Sequence, residues 1–302
     1  MRPNFSVLFL TTLIGAAQGL FIALFACELL SPTALEANFF VGGSAIILLF
    51  SGLGLLASFF HLGHPERAWR AMMMWRTSWL SREVIALPAF MGAAFAYGAA
   101  HYLAMGSNIT IALGVVGVVM AITLFVCTAM IYAAVKVLKE WAHPLTIVNF
   151  TLLGSASGFT LAAAYASAMA PALITPLAQV AFFLTAVSLV TRGSSLLRNA
   201  NLTPASTLQS AIGIKHPRIV QKSQGAMGGS YNTREYFHGK SAEFVKTIVP
   251  SFLVLSFIAP LLLVMSVPVL AFILQYAGLL AERWYFFAEA KHPQNMYYQG
   301  VA

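Results

Sequence analysis

Long apolar runs, cut by short clusters of proline and charge, dominate the pattern of this sequence. Eight stand out, near residues 5–30, 39–60, 83–104, 109–138, 145–169, 172–190, 244–264 and 269–287. A helix of about 20 apolar residues crosses a hydrocarbon core roughly 30 Å thick. The pattern therefore predicts an all-α integral membrane protein, a bundle of about eight transmembrane helices. The first run is too long for the apolar core of a secretory signal, and Glu28 stands where a cleavage site would be, so it is expected to be a true span. The last two runs are divided only around Ser266 and Pro268, which predicts a tight hairpin. Residues 191–246 form a long polar loop without an apolar run, and a loop of that length calls for a purpose, with partner docking the expected one.

Composition agrees with this pattern. Of 302 residues, 59% are hydrophobic and only 9% charged, against roughly 25% in soluble domains. That leaves too little polar surface to clothe a water-soluble particle, and no room for a large soluble domain. Cys27 and Cys127 both lie in apolar runs and are expected as buried thiols rather than a disulfide. The absence of any Cys-x-x-Cys argues against metal binding by cysteine, and no metal site is predicted.

Charge then sets orientation. With eight spans, both termini and the connections after spans two, four and six share one face. All 17 Lys and Arg, from Arg2 to Lys291, fall on that face. Positive residues near span ends are retained in the cytoplasm, so the chain is expected in a bacterial inner membrane with both termini cytoplasmic. The same rule explains the net charge of +8 without a nucleic-acid partner.

The segment His61-Leu-Gly-His-Pro-Glu-Arg-Ala, followed by Ser78-Trp-Leu-Ser-Arg-Glu83, concentrates the candidate chemistry. Trp69, Met72, Met73, Trp75 and Trp79 alternate with Arg67, Arg70 and Arg76, a composition suited to a helix lying in the membrane interface. That helix would return the chain to Glu83, one loop from His61 and at the same depth. A histidine can donate to a quinone carbonyl and titrates near neutral pH. A carboxylate at the membrane edge can relay protons. The pair equally suits a plain role, with His61 closing a helix and Glu83 pairing with Arg82 or Arg67. Gln18 and Glu28 are further polar groups in the first span, suited to a quinone or proton route or, for Gln18, to helix–helix hydrogen bonding and, for Glu28 near the non-cytoplasmic end, to contact with water. Gly154 and Gly158 form a GxxxG pair of the kind that brings helices close.

The motif His61-Leu62-Gly63-x-Pro65-x-Arg67-Ala68, with Ser81-x-Glu83 downstream, resembles the membrane anchor subunits of the dimethyl sulfoxide reductase type, in the larger family that includes polysulfide and nitrite reductase anchors. A weaker likeness lies in Ala277-Gly278 with Arg283. The resemblance implies a quinone, ubiquinone or menaquinone, held near His61 and Glu83 with Arg67 in support. Gln18 and Arg283 are weaker candidates. It also implies an iron–sulfur partner and a molybdopterin catalytic subunit, which carry the clusters and the molybdenum cofactor, so no catalytic residue is expected in this chain. Within the family, the loop 203–218 and the tail 290–299 look like those of anchors serving cytoplasm-facing sulfite dehydrogenases; a relative oxidising quinol for a reductase is the alternative. No haem is expected, because His64, His143, His216, His238 and His292 fall in loops or ends and His101 near the opposite face. A secondary transporter is the rival from another class. It would show broken helices and midplane charges, whereas these ionisable residues crowd the span ends.

Overall fold

A computed structural model describes residues 3–30, 35–60, 62–203, 207–219 and 238–292. His61, Lys222 and Arg234 lie outside the described residues, as do segments 204–206 and 220–237 of the long loop and most of the tail. Among the described residues every regular element is helical. The long helices are α1 (Phe5–Leu30), α2 (Ala37–Phe59), α3 (Trp79–Tyr102), α4 (Ser107–Ala133), α5 (Pro144–Met169) and α6 (Ile174–Ala200). A short α7 (Leu208–Ile212) follows, then α8 (Ala242–Leu263) and α9 (Pro268–Glu289).

Local signals start these helices. Ser78 accepts a bond from the Ser81 N–H to open α3, His143 accepts from Leu145 ahead of Pro144 in α5, and Ser241 accepts from Phe244 in α8. Consecutive helices pack side by side through short connections, so their directions alternate. The start of α1, the end of α2, the start of α3, the end of α4, the start of α5 and the end of α6 therefore share one end of the bundle. This is the basic end, where Arg67, Arg70, Arg76, Arg82, Lys136, Lys139 and Arg198 are placed.

Among the described residues seven helices, α1 to α6 and α8, are long and apolar enough to cross a membrane. Helix α9 corresponds to the eighth predicted span, but Gln275, Glu282 and Arg283 dilute its apolar character, and all three point inward. Large apolar side chains cover the outside instead: Leu49, Leu53 and Leu56 on α2, Val115, Val119 and Ile122 on α4, and Phe183 on α6 are exposed. Apolar outside and polar inside is the arrangement lipid selects. Cys27 and Cys127 are free and buried, as expected.

Helices α1 and α5 form the centre. Gly154 and Gly158 of α5 meet a second GxxxG, Gly15 and Gly19 of α1, so that two glycine stripes interlock. A Cβ on Gly19 would stand 2.9 Å from the Cα atoms of Ser155 and Gly158, closer than real contacts allow. The backbones touch where no side chain fits. Helix α8 contains a π turn at Val254–Ile258, between Pro250 and Pro260, and Gly278 of α9 packs directly against Ser256 in that turn.

Helix ends differ from the apolar runs at two places. Helix α6 continues through Thr191–Ala200, the first part of the polar segment, because Arg192 and Ser195 face inward and are buried. Helix α4 stops at Ala133, short of the apolar run's end at 138, and Leu138 folds back into an aromatic cluster with Trp141, Phe150 and Phe286. Arg198 donates to the Lys139 carbonyl at 2.9 Å, tying α6 to the α4–α5 connection.

Candidate functional site

A cleft opens between α1, α3, α4, α5 and α9, enclosing about 440 Å³ counting its open mouth. Its lining includes three residues that sequence alone nominates separately: Gln18, Glu83 and Arg283. Glu83 sits one turn into α3, on the face turned to α4, and is 8% exposed. The Thr128 hydroxyl of α4 donates to its carboxylate at 2.5 Å. Gln18 of α1 donates from Nε2 to the Ala121 carbonyl of α4 at 2.7 Å, a helix–helix bond that also holds the amide against the cleft. Arg283 of α9 lies 3.7 Å above the Phe150 ring, with Nε 3.2 Å from Glu282. Ile14, Phe125, Phe150, Leu153 and Leu279 supply apolar walls.

Arg67 is not part of this cleft. It belongs to a 3-10 helix, Pro65–Met74, which has no buried residue, and its guanidinium pairs with Glu66 at 3.6 Å. Trp69, Met73 and Trp75 on and after this segment are exposed, as an interfacial element requires. Arg82 stacks over Trp79 at 4.2 Å and donates to the Trp75 and Arg76 carbonyls, which seats the segment against the start of α3.

Beside the cleft lies a group that the sequence does not announce. Arg192 of α6 is 2% exposed and places Nε 2.7 Å from Glu282, itself 1% exposed. Its Nη2 lies 3.7 Å from Glu289. In the sequence Arg192 reads only as a loop charge, and nothing pairs it with Glu282 or Glu289. The available signal is their position: ionisable residues at the margin of apolar runs, which become functional candidates by default.

The opposite end of the bundle holds a separate polar cluster. Glu28 is buried and accepts from Tyr97 at 2.6 Å and Thr110 at 2.5 Å, with His101 Nε2 at 3.5 Å. The His101 ring stacks on Phe40 at 4.2 Å. Between Gln18 and Glu28, α1 carries Phe21, Leu24 and Phe25, all buried, and Phe21 packs against Phe90 at 5.8 Å and Tyr97 at 5.2 Å. A buried aromatic layer thus separates the two polar regions.

A helical bundle with an amphipathic cleft and inward-facing charge matches a known class. A family model for the DMSO reductase anchor subunit (DmsC) matches residues 1–288, and the chain belongs to that family of membrane anchors. It is similar to a subunit of the sulfite dehydrogenase of Allochromatium vinosum, at 51% identity over 325 aligned positions that cover the whole of both chains.

The cleft suits a quinone. Such a molecule has two carbonyls on a flat ring and an apolar tail, and it needs donors on one wall and hydrocarbon on the other. Arg283 and Gln18 carry N–H donors for the first, with the Glu83 carboxylate beside them as a proton-exchanging group, and Phe125, Leu153 and Leu279 form the second. The space is narrow, so a ring would enter with some side-chain movement.

Proposed function

We propose that this chain anchors a molybdopterin and iron–sulfur oxidoreductase to the inner membrane of a bacterium and exchanges its electrons with a quinone in the cleft. The observation that carries this reading is the convergence of Gln18, Glu83 and Arg283, from three different helices, on one amphipathic space. A bound quinone would supply a two-electron, two-proton couple. Arg283 would orient its ring by donating a hydrogen bond and Glu83 would exchange a proton with it, with His61 a further donor on the strength of the motif it carries. The likeness to the Allochromatium vinosum protein favours sulfite as the substrate of the catalytic partner and quinone as the electron acceptor. Partner docking falls to the basic end, with its interfacial Trp–Arg segment and the polar segment after α6.

The test compares acceptors. Glu83→Gln in the assembled complex should lower quinone-linked turnover about a hundred-fold, the low end of the range for losing a positioned proton-transfer group. Activity with a soluble dye, which takes electrons from the partner subunits, should persist. His61→Ala should follow the same pattern. Equal losses with both acceptors, tracking the amount of complex recovered, would remove the cleft from quinone chemistry.

Orientation follows from the charge bias. A reporter fused after Lys291 should read cytoplasmic and one inserted in the 103–106 connection periplasmic. The reverse pattern would invert the assignment of faces.

A further inference from the structure

Arg192, Glu282 and Glu289 have no task in the quinone reading, yet burying them is costly. They line or adjoin a second cleft of about 270 Å³, counting its open mouth, which shares Phe150 and Arg283 with the first. Its outer end is formed by Glu140 and Asn199, both half-buried at the basic end. From there the polar groups run inward without a break: Asn199 hydrogen-bonds Glu289, Glu289 lies 3.7 Å from Arg192, Arg192 lies 2.7 Å from Glu282, and Glu282 lies 3.2 Å from Arg283 at the wall of the first cleft.

Several atoms along this line keep hydrogen-bonding capacity that the protein does not fully use. Asn149 Oδ1 is buried and accepts no hydrogen bond among the described residues, while Arg192 Nε and Nη2 and Glu282 Oε2 meet their neighbours as ion pairs without a well-directed hydrogen bond. Buried polar atoms with leftover capacity beside a polar space are the usual hosts of ordered water. Carboxylates strung together by water form proton relays inside membrane proteins.

We propose that this seam is the proton path between the aqueous basic face and the quinone cleft, with Glu289 and Glu282 as carriers. The inference rests on the quinone reading above. Reduction of one quinone to quinol consumes two electrons, delivered by an iron–sulfur centre of the partner, and two protons, which the seam draws from the basic side. The aromatic layer at Phe21 and Phe25 closes the alternative approach from the Glu28 end.

Glu289→Gln, measured in the whole complex, is expected to slow quinone-linked turnover by about a hundred-fold, the low end of the range for lost proton transfer. The KM for quinone should stay near its parent value, and soluble-dye activity should report equal amounts of complex. Imidazole, a small diffusible acid, should restore much of the rate, and Glu289→Asp should retain more of it than Glu289→Gln. A structural defect would not respond to imidazole. Glu140→Gln, at the half-buried mouth, provides the same readout should Glu289→Gln fail to assemble. Unchanged turnover, or a loss that imidazole leaves untouched, would overturn the path. Failure of the quinone reading looks different: Glu83→Gln would then change quinone-linked and dye-linked turnover equally, or change neither.

Discussion

Gly158→Leu should leave almost no assembled complex in the membrane. The Gly158 Cα faces the backbone of Gly19 and Leu20, and any Cβ there would fall inside that backbone. No rotamer change relieves a clash between two main chains, so α1 and α5 would have to separate. Those helices are the centre of the bundle, in contact with each other and between them with α2, α4, α6 and α9. Overpacking a core typically costs about 1–3 kcal/mol, and the central position of this contact puts the expected cost at or above the top of that range. Gly92→Leu is the control, since nothing lies within 4 Å of a Cβ there. Quantifying membrane-inserted protein by fluorescence-detected size exclusion would check both. Normal yield of Gly158→Leu would mean that the helices do not meet as described.

The second large effect concerns Arg192. Replacing it with Met keeps the bulk and removes the charge, leaving Glu282 and Glu289 buried with one guanidinium fewer. Breaking a buried ion pair from one side costs about 3–5 kcal/mol, whereas removing both partners is often close to neutral. Arg192→Met should therefore lower the thermal midpoint of the purified complex sharply. Arg192→Met with Glu282→Leu should recover most of the loss. Additive losses in the double variant would show that the two side chains are not energetically coupled.

The membrane bundle is legible in the sequence because lipid imposes a simple demand: each crossing needs a contiguous apolar run. The same simplicity hides the ends of the helices. Thr191–Ala200 reads as polar loop only while Arg192 is assumed to seek water; once it can face Glu282, the segment stays helical and buries its polar side. Glu28, at the far end of α1, reads as a group that reaches water for the same reason, and Tyr97 and Thr110 keep it inside instead. The candidate residues are legible one at a time. Glu83 comes from the motif after His61, Gln18 from its isolation in an apolar span and Arg283 from a weak likeness, but their meeting depends on how α1, α3 and α9 pack. Thr128 gives no signal, since a threonine in an apolar helix usually bonds its own backbone, as Thr123 does with Val119. Gly154 and Gly158 stand out as a packing stripe, while Gly15 and Gly19, the two glycines of α1 at the same spacing, gain their meaning only once α1 lies against α5.

The buried layer of Phe21, Leu24 and Phe25 has an energetic meaning for the cell. A charge carried across a membrane works against the resting voltage at about 2.3 kcal/mol per 100 mV. On the proposed path electrons and protons both arrive at the basic end, and no net charge would pass the aromatic plug. Turnover would then be electrically silent: it neither charges the membrane nor is held back when the membrane is already charged.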